Sequence, residues 1–382
     1  MKLRRRGTRL GCPVSSFQFH NSSFQNMSLD FSQAYTLREK ILDHSRSGNL
    51  ALYSEAQERG LSFTELLEEL DPSPRKPDGS LDAPLDAFER QLFLAEITLS
   101  GRNATTLEQF LSGPGMILAP EYVSREIRRG YKMVQDPEEL VAAIIPERGP
   151  TVTPLYIKTD FPKKAQRRND SAAYPVVKLA YRQKEAGMID RGRQFDFSYR
   201  ILKNQKLAEF RVFLWWIGAQ LANDEISEIY NIIINGDGTS PAPSNSFNGS
   251  AGTFAYSDLV HLALAFDGPA RMTHLLGAKS DIETVLKITE LQDAQAFQGG
   301  AFSNTGDYRT FLPLNTRLVA VEGATATKFA ALDHRFAIRE SVAQPLVIEA
   351  EKIISHKLES AVVSKESAYT IMVDDAIAMS DY

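Results

Sequence analysis

The fold is decided by residues 200–239, which read RILKNQKLAEFRVFLWWIGAQLANDEISEIYNIIINGDGT. Apolar residues recur three and four positions apart along this stretch, which is the spacing of one face of a helix. A helix from Arg200 to Ile234 would be roughly 50 Å long, about three times the average helix of a globular domain. The pattern therefore predicts one long helix, the spine helix, on which other layers are mounted. Its apolar positions are Leu207, Phe210, Leu214, Ile217, Leu221, Ala222, Ile226, Ile229 and Ile233.

The middle of this helix is apolar on every side. Val212–Ile217 contains no polar side chain that could face solvent. A helix segment of this kind is normally buried, so we expect it to be covered on several sides. A spine of this length suits a structural building block better than a ligand pocket.

The spine helix is expected to stop at a glycine turn formed by Asn235, Gly236, Asp237 and Gly238. Asparagine and glycine accept the left-handed dihedrals that end a helix. The same four residues resemble the start of a calcium-binding loop, but the twelfth position of that loop would need a bidentate acid and holds Ser246. The sequence therefore predicts a helix cap, with no metal site.

Composition excludes several classes of protein. The chain has 382 residues with 43% hydrophobic and 24% charged content, which is ordinary for a globular protein of two or three domains. A net charge of −5 argues against a protein that binds nucleic acid over its whole surface. One cysteine, Cys12, leaves no disulfide framework, and no apolar run is long enough to span a membrane.

Signatures of catalysis are missing from the sequence. It contains no Walker loop, no G-x-G-x-x-G, no G-x-S-x-G and no H-E-x-x-H. None of its histidines is three or four residues from another, so each is predicted to be a surface or hydrogen-bonded histidine rather than a metal ligand. Asp333-His334-Arg335 is predicted to form a turn. We expect neither an enzyme nor a cofactor; the histidines are His20, His44, His261, His274, His334 and His356.

A long β-hairpin is predicted before the spine helix. Val152–Lys158 and Tyr174–Tyr181 alternate with a period of two on either side of a basic tip. An isolated hairpin is marginal in water, so this one needs a surface to lie against. The tip could meet an acidic partner, stay solvated or bind phosphate; its cations are not interleaved with the aromatic residues that favour the last. The candidate inter-subunit contacts are Lys158, Lys163, Lys164, Arg167 and Arg168.

The rest of the chain has a mixed pattern, so the predicted fold class is α+β. Residues 1–28 are expected to be a disordered basic arm, with Met27 as an alternative start. Residues 29–70 have helical spacing, and proline and glycine make Asp71–Gly79 a linker. Other predicted helices are Asp86–Leu99, Glu121–Lys132, Ser257–Phe266 and one that starts at Ser280 or Asp281. The predicted strands are Gly113–Pro120, Arg317–Glu322, Thr327–Leu332 and Phe336–Ser341, and Glu349–Glu359 fits helix or strand.

The order of these elements resembles that of tailed-bacteriophage major capsid proteins with the Hong Kong 97-like capsid fold, which encapsulins share. The hairpin resembles that family's E-loop, and Asn235–Thr239 at the end of the spine helix resembles its most recognisable signature. The resemblance extends from Asp86 to Tyr382. It implies these domains: 86–150 as N-arm, 151–182 as E-loop hairpin, 183–240 as peripheral domain with the spine helix, 241–315 as axial domain, and 316–382 as the return strands of the peripheral domain.

Residues 29–85 lie outside the resemblance. This helical extension and its proline-rich linker suit either a scaffold-like segment that is later cleaved or a retained decoration. Family members that crosslink covalently use a lysine of the E-loop, but no acceptor or catalytic glutamate can be placed in this sequence. We therefore do not predict covalent crosslinking for this chain from the resemblance.

The resemblance implies a structural protein that assembles with itself into pentamers and hexamers of an icosahedral head around double-stranded DNA. Its partners would be further copies of the chain, DNA by non-specific contact, and portal, scaffold or cement proteins, with no membrane involved. It would be located in the virion after assembly in the cytoplasm of a host bacterium. The alternatives are an encapsulin-like shell around a cargo enzyme, which residues 29–85 argue against, and an unrecognised enzyme with a pocket in residues 240–310.

Overall fold

The chain folds into two compact units of α and β structure. The computed structural model describes residues 32–47, 51–79, 81–82, 84–99, 104–111, 115–157, 179–181, 184–198, 205–292, 316–353 and 358–382. One unit is Met1–Ala119 with Lys203–Ala208, and the other is Pro120–Leu202 with Glu209–Tyr382. The α+β class predicted from the sequence is confirmed. The predicted basic arm lies outside the described residues, and the predicted functional domains remain predictions.

The first unit is helical, as the spacing of residues 29–70 predicts. Ser62 and Asp86 each form a capping box with the glutamate three residues later, which fixes where two of the helices begin. The helix that starts after Asp86 ends at Leu94 rather than at the predicted Leu99, because Glu96 has a left-handed φ of +58°. The helices are α1 (Ser32–Ser47), α2 (Ala51–Glu58), α3 (Phe63–Leu70), α4 (Ala87–Leu94) and α5 (Leu107–Phe110).

The segment Asp71–Gly79, predicted to be a linker, is partly built into this unit. The Arg90 guanidinium donates to the Asp71 carboxylate at 2.8 Å, to the Asp71 carbonyl at 2.6 Å and to the Ser73 hydroxyl at 2.9 Å. The Arg90 and Asp71 side chains are only 5% and 4% exposed. Proline and glycine content predicts the irregular backbone correctly, but the buried partner lies 19 residues further along the chain.

The predicted strand at Gly113–Pro120 is wrong, because Gly115–Pro120 is the start of helix α6 (Gly115–Tyr131). Its predicted continuation, a helix ending near Lys132, is confirmed. A proline inside a helix costs about 3 kcal/mol, but Ile117, Leu118 and Tyr122 are almost completely buried. Burial of each such side chain stabilises by about 1.5–3 kcal/mol, which outweighs the cost of the proline.

The second unit contains two four-stranded sheets and most of the spine helix. The first sheet has the order β1-β10-β11-β6 and the second the order β12-β9-β7-β8. Pairing is antiparallel except between β1 and β10 and between β7 and β8. The strands are β1 (Ala143–Pro146), β2 (Thr151–Val152), β3 (Leu155–Ile157), β4 (Leu179–Tyr181), β5 (Ala186–Gly187), β6 (Ile189–Ser198), β7 (His274–Gly277), β8 (Arg317–Ala320), β9 (Lys328–Leu332), β10 (Ile338–Ile353), β11 (Leu358–Ile371) and β12 (Ile377–Asp381).

The strands predicted in the last third of the chain are confirmed, with ends shifted by one or two residues, except that the strand predicted to end at Ser341 continues to Ile353 as β10. Glu349–Glu359, which fits helix or strand by periodicity, is strand wherever it is described, since β10 continues to Ile353 and β11 begins at Leu358. The two strands pair with each other from Ile338↔Ile371 to Ile353↔Leu358. The pairing of these two strands therefore determines the strand conformation, which local periodicity does not distinguish from helix.

The spine helix, α7, runs from Leu207 to Asn235 and is about 44 Å long. The predicted start at Arg200 is too early, because Lys206 forms an isolated antiparallel bridge with Thr106. Every apolar position predicted for its buried face is buried. Two glycines set its crossing with α6: a Cβ on Gly130 would meet the Trp215 backbone, and one on Gly218 would meet the Ile127 carbonyl.

The second sheet is packed on both faces. Leu276, Val319, Ala330 and Leu332 join a core with the spine-helix residues Ile229 and Ile233. Their neighbours along the same strands, Leu275, Leu318, Phe329 and Ala331, join a core with helices α8 (Tyr256–Leu264) and α9 (Lys279–Leu286). This alternation follows from the period of two along a strand, and the short helix α10 (Thr289–Gln292) follows α9.

Candidate functional site

A glycine turn follows the end of the spine helix. Gly236 and Gly238 have φ angles of +85° and +76°, and the Gly236 N–H donates to the Ile232 carbonyl at 2.8 Å. A Cβ on Gly236 would meet the Ser240 carbonyl oxygen, so both the dihedral and the space require glycine. Asn235 is the last residue of the helix.

Asp237 ties this cap to the first sheet. Its Oδ1 accepts from the Thr239 N–H at 2.8 Å, from the Thr239 hydroxyl at 2.7 Å and from the Ser240 N–H. Its Oδ2 accepts from the Ile371 N–H at the end of β11, at 2.8 Å. Both carboxylate oxygens therefore bind the protein's own donors, which is the role of a structural cap.

The predicted hairpin is described only at its base. Leu155↔Tyr181 and Ile157↔Leu179 pair antiparallel in a two-stranded sheet, and Thr151↔Gly187 begins another. The antiparallel arms that the alternation predicts are thus present at this end. The tip lies outside the described residues, together with every predicted inter-subunit contact there: Lys158, Lys163, Lys164, Arg167 and Arg168.

A buried ionic cluster joins the spine helix to the first sheet. The Lys365 ammonium lies 2.9 Å from a Glu225 oxygen and 2.7 Å from a Glu340 oxygen. The hydroxyls of Tyr131 and Tyr369 donate to the same Glu225 oxygen at 2.5 Å and 2.7 Å. Sequence analysis missed the cluster, since its members come from α6, α7, β10 and β11 and share no local spacing.

The surroundings shift the pKa values of Glu340 and Lys365. Burial raises the pKa of Glu340, and Lys365 opposes that rise only in part. Burial alone would lower the pKa of Lys365, but Glu225 and Glu340 raise it above its ordinary value. The lysine is therefore kept as a cation between Glu225 and Glu340, which makes it a poor nucleophile and a good structural bridge.

The spine helix exposes an apolar face near its start. Val212, Phe213 and Trp216 are 57%, 41% and 64% exposed, whereas Leu214 and Ile217 are buried. The expectation that Val212–Ile217 is covered on several sides is therefore met for Leu214 and Ile217, while the side chains at 212, 213 and 216 keep a large exposed fraction in the described structure. We call Val212, Phe213 and Trp216 the exposed spine face.

Two histidines that the sequence does not connect come together in the second unit. The rings of His274 and His334 lie edge to face with centroids 5.4 Å apart. His334 belongs to the turn predicted at Asp333–Arg335, which is confirmed, and Asp333 is buried there with Arg335 as its ion-pair partner at 2.7 Å. Because 60 residues separate the histidines, no local spacing signals the pair.

Within the residues described, His, Cys, Asp and Glu side chains form no group of three or more that could hold a metal ion. Across the same ranges, the helices that could be tested are too short or too polar to cross a membrane.

Comparison with known proteins finds similarity at the level of structure. No protein-family model and no curated protein sequence matches the chain. It is similar to the virus-like particle from Pyrococcus furiosus, with a TM-score of 0.46 and 14% identity over 69% of this chain and 99% of that one. The capsid of an empty GTA particle gives a TM-score of 0.46 and 14% identity over 65% and 91%.

An encapsulin complex from Synechococcus elongatus PCC 7942 gives a TM-score of 0.40 and 15% identity over 63% of this chain and 84% of that one. The chain is thus similar in structure to a virus-like particle, a capsid and an encapsulin, and its sequence resembles the tailed-phage capsid proteins and encapsulins.

Proposed function

We propose that this chain is a structural shell subunit that assembles with copies of itself into an icosahedral capsid. The exposed spine face carries the proposal. Apolar side chains at positions 212, 213 and 216 share one side of a long helix, and Trp216 alone is 64% exposed. Clustered apolar exposure on a soluble protein marks an interaction surface, and tryptophan is enriched among residues that dominate interface energy.

The rest of the geometry supports a building block. The ionic cluster and the Asp237 cap link the spine helix to the first sheet, and the second sheet is covered on both faces. Such a subunit would keep its shape while its edges join neighbours. The hairpin of residues 151–182 and the N-arm would reach over adjacent copies, and residues 241–315 would close the pentamers and hexamers.

The finer proposal is the head of a tailed phage around double-stranded DNA, assembled in a bacterial host without catalysis. Portal, scaffold or cement proteins would be its other partners, and residues 29–85 would be a scaffold-like or a retained segment. Particles isolated from their natural source should protect genome-length DNA from nuclease. Particles that hold a protein cargo and no genome would instead support the encapsulin-like alternative.

Trp216 provides the direct test of the exposed spine face. Trp216→Glu places a charge where the neighbour should dock, so we expect particles to be lost, leaving monomers or single capsomers with unchanged circular dichroism. Light scattering after size-exclusion chromatography measures this.

Trp216→Phe is the matched control, since it keeps an apolar ring and should keep the particles. Normal particles from Trp216→Glu would show that the exposed spine face is not a contact between subunits.

A further inference from the structure

The histidine pair borders a cavity of about 550 Å³ in the second unit. The volume lies within the range typical of sites for small molecules, about 300–1,000 Å³. The residues that matter come from strands β7 and β8, from the loop before β7, from the turn after β9 and from the 3-10 turn Pro137–Leu140 before β1. They are Arg271, Thr273, His274, Arg317, His334 and Glu139.

One buried nitrogen in this group lacks a partner. His274 is 4% exposed, and its Nε2 makes no hydrogen bond among the described residues. Its Nδ1 lies 3.1 Å from the Thr273 hydroxyl. A buried polar atom without a partner costs about 1–3 kcal/mol. In a native protein such an atom therefore needs a group that satisfies it.

The shared hydroxyl of Thr273 cannot satisfy both imidazole rings. It donates to the Leu332 carbonyl at 3.0 Å and accepts from the His334 peptide N–H at 3.0 Å. One lone pair then remains for the two Nδ1 atoms of His274 and His334, each 3.1 Å away. At least one ring therefore keeps hydrogen-bonding capacity that the protein does not use.

The charged groups give the cavity a positive balance. Arg317 pairs with Glu139 at 2.9 Å, which neutralises one cation. Arg271 donates its peptide N–H to Asp333 at 2.9 Å, and its guanidinium has no partner among the described residues. The side chains lining the cavity thus carry one cation in excess, which favours an anionic ligand.

Neutral histidine is consistent with an anion-binding role. Burial, with the neighbouring His334 and Arg317, lowers the pKa of His274 to about 4, so the ring is uncharged at neutral pH when the cavity is empty. A bound anion would oppose this shift, because an opposite charge stabilises imidazolium.

We propose that this cavity binds the phosphate group of a small phosphorylated molecule. Arg271 and Arg317 approach from a loop and from strand β8, and His274 on β7 adds a donor in the tautomer that carries the ring proton on Nε2. Donors from several elements suit the tetrahedral oxygens of phosphate better than a flat carboxylate, which one guanidinium can bind through two parallel bonds. The volume leaves room for the organic part of a phosphomonoester. The proposal is independent of whether the chain forms shells.

Titration calorimetry on the purified full chain tests the site, with inorganic phosphate and a nucleoside monophosphate as probes and acetate as the comparison. We expect both phosphate probes to bind and acetate to bind at least about tenfold more weakly. Tighter binding of the monophosphate would assign the site to a phosphorylated molecule, and equal binding to the free ion. Equal binding of acetate, or no phosphate binding, would overturn the proposal.

Variants locate the binding. Arg271→Gln removes an exposed side chain while its peptide N–H bond to Asp333 stays, so the fold should be kept. Loss of one charge-assisted hydrogen bond should weaken phosphate binding about tenfold or more. Lys279→Gln removes the same charge from an exposed residue that does not line the cavity and should change binding less than about twofold. Equal effects of the two variants would contradict the assignment.

Discussion

Gly236 has a φ of +85°, and a Cβ built on it would meet the carbonyl oxygen of Ser240. Gly238 has a similar φ of +76° but nothing within 4 Å of the same position. The two glycines of this turn therefore have similar dihedrals and differ in the space available for a Cβ. Asp237 between them holds the turn against β11.

This difference predicts which of two alanine substitutions destabilises the subunit more. Gly238→Ala should lower the free energy of unfolding by about 1–2 kcal/mol, the cost of a left-handed dihedral for a residue with a Cβ. Gly236→Ala should lower it by more, to about 3 kcal/mol, since the clash adds to the dihedral. Denaturant unfolding of the unassembled subunit measures both values, and equal losses would show that the turn relaxes away from Ser240.

Individual residues differ in how far the sequence reveals their roles. The cap at 235–238 is predictable because its chemistry lies in four adjacent residues. The pairs Arg90–Asp71, Lys365–Glu340 and His274–His334 are not, because their partners come from distant elements. Their positions depend on how strands and helices pack, which local spacing does not report.

At the scale of elements, periodicity succeeds where a segment is long and fails where it is short. The apolar ladder of the spine helix predicts its buried face correctly because many turns repeat the pattern. The predicted strand Gly113–Pro120 covers only about two helical turns, so the breakers at both ends favoured a strand. The burial of Ile117 and Leu118 made the segment the start of α6.

The hairpin predicts a separable effect on assembly. Deleting residues 159–173 removes the tip but keeps the paired base at Leu155–Ile157 and Leu179–Tyr181. We expect a soluble subunit with unchanged circular dichroism that no longer forms closed particles in electron micrographs, because the arm that reaches the neighbour is gone.

A control separates length from charge. Replacing Lys163, Lys164, Arg167 and Arg168 with glutamine keeps the length of the hairpin and removes its cations. Normal shells from the deletion would show that the tip has no role in assembly. Loss of shells in both variants would assign the role to the charges, and loss in the deletion only would assign it to the length of the hairpin.

At the scale of the whole molecule, each unit is a compact body whose interior is used for its own packing. The second sheet has cores on both faces, and the ionic cluster fixes the spine helix to the first sheet. Among the features that the described residues leave open to a partner are the exposed spine face and the unpaired edges at the base of the hairpin. These are means of association, and edges of this kind are otherwise an aggregation risk.

Electron cryomicroscopy of the purified full-length chain tests the assembly claim most directly. We predict closed particles of icosahedral symmetry, built from pentamers and hexamers, in which Trp216 lies in a contact between subunits. A chain that stays a folded monomer at all concentrations, or particles in which the exposed spine face meets only solvent, would contradict the proposal.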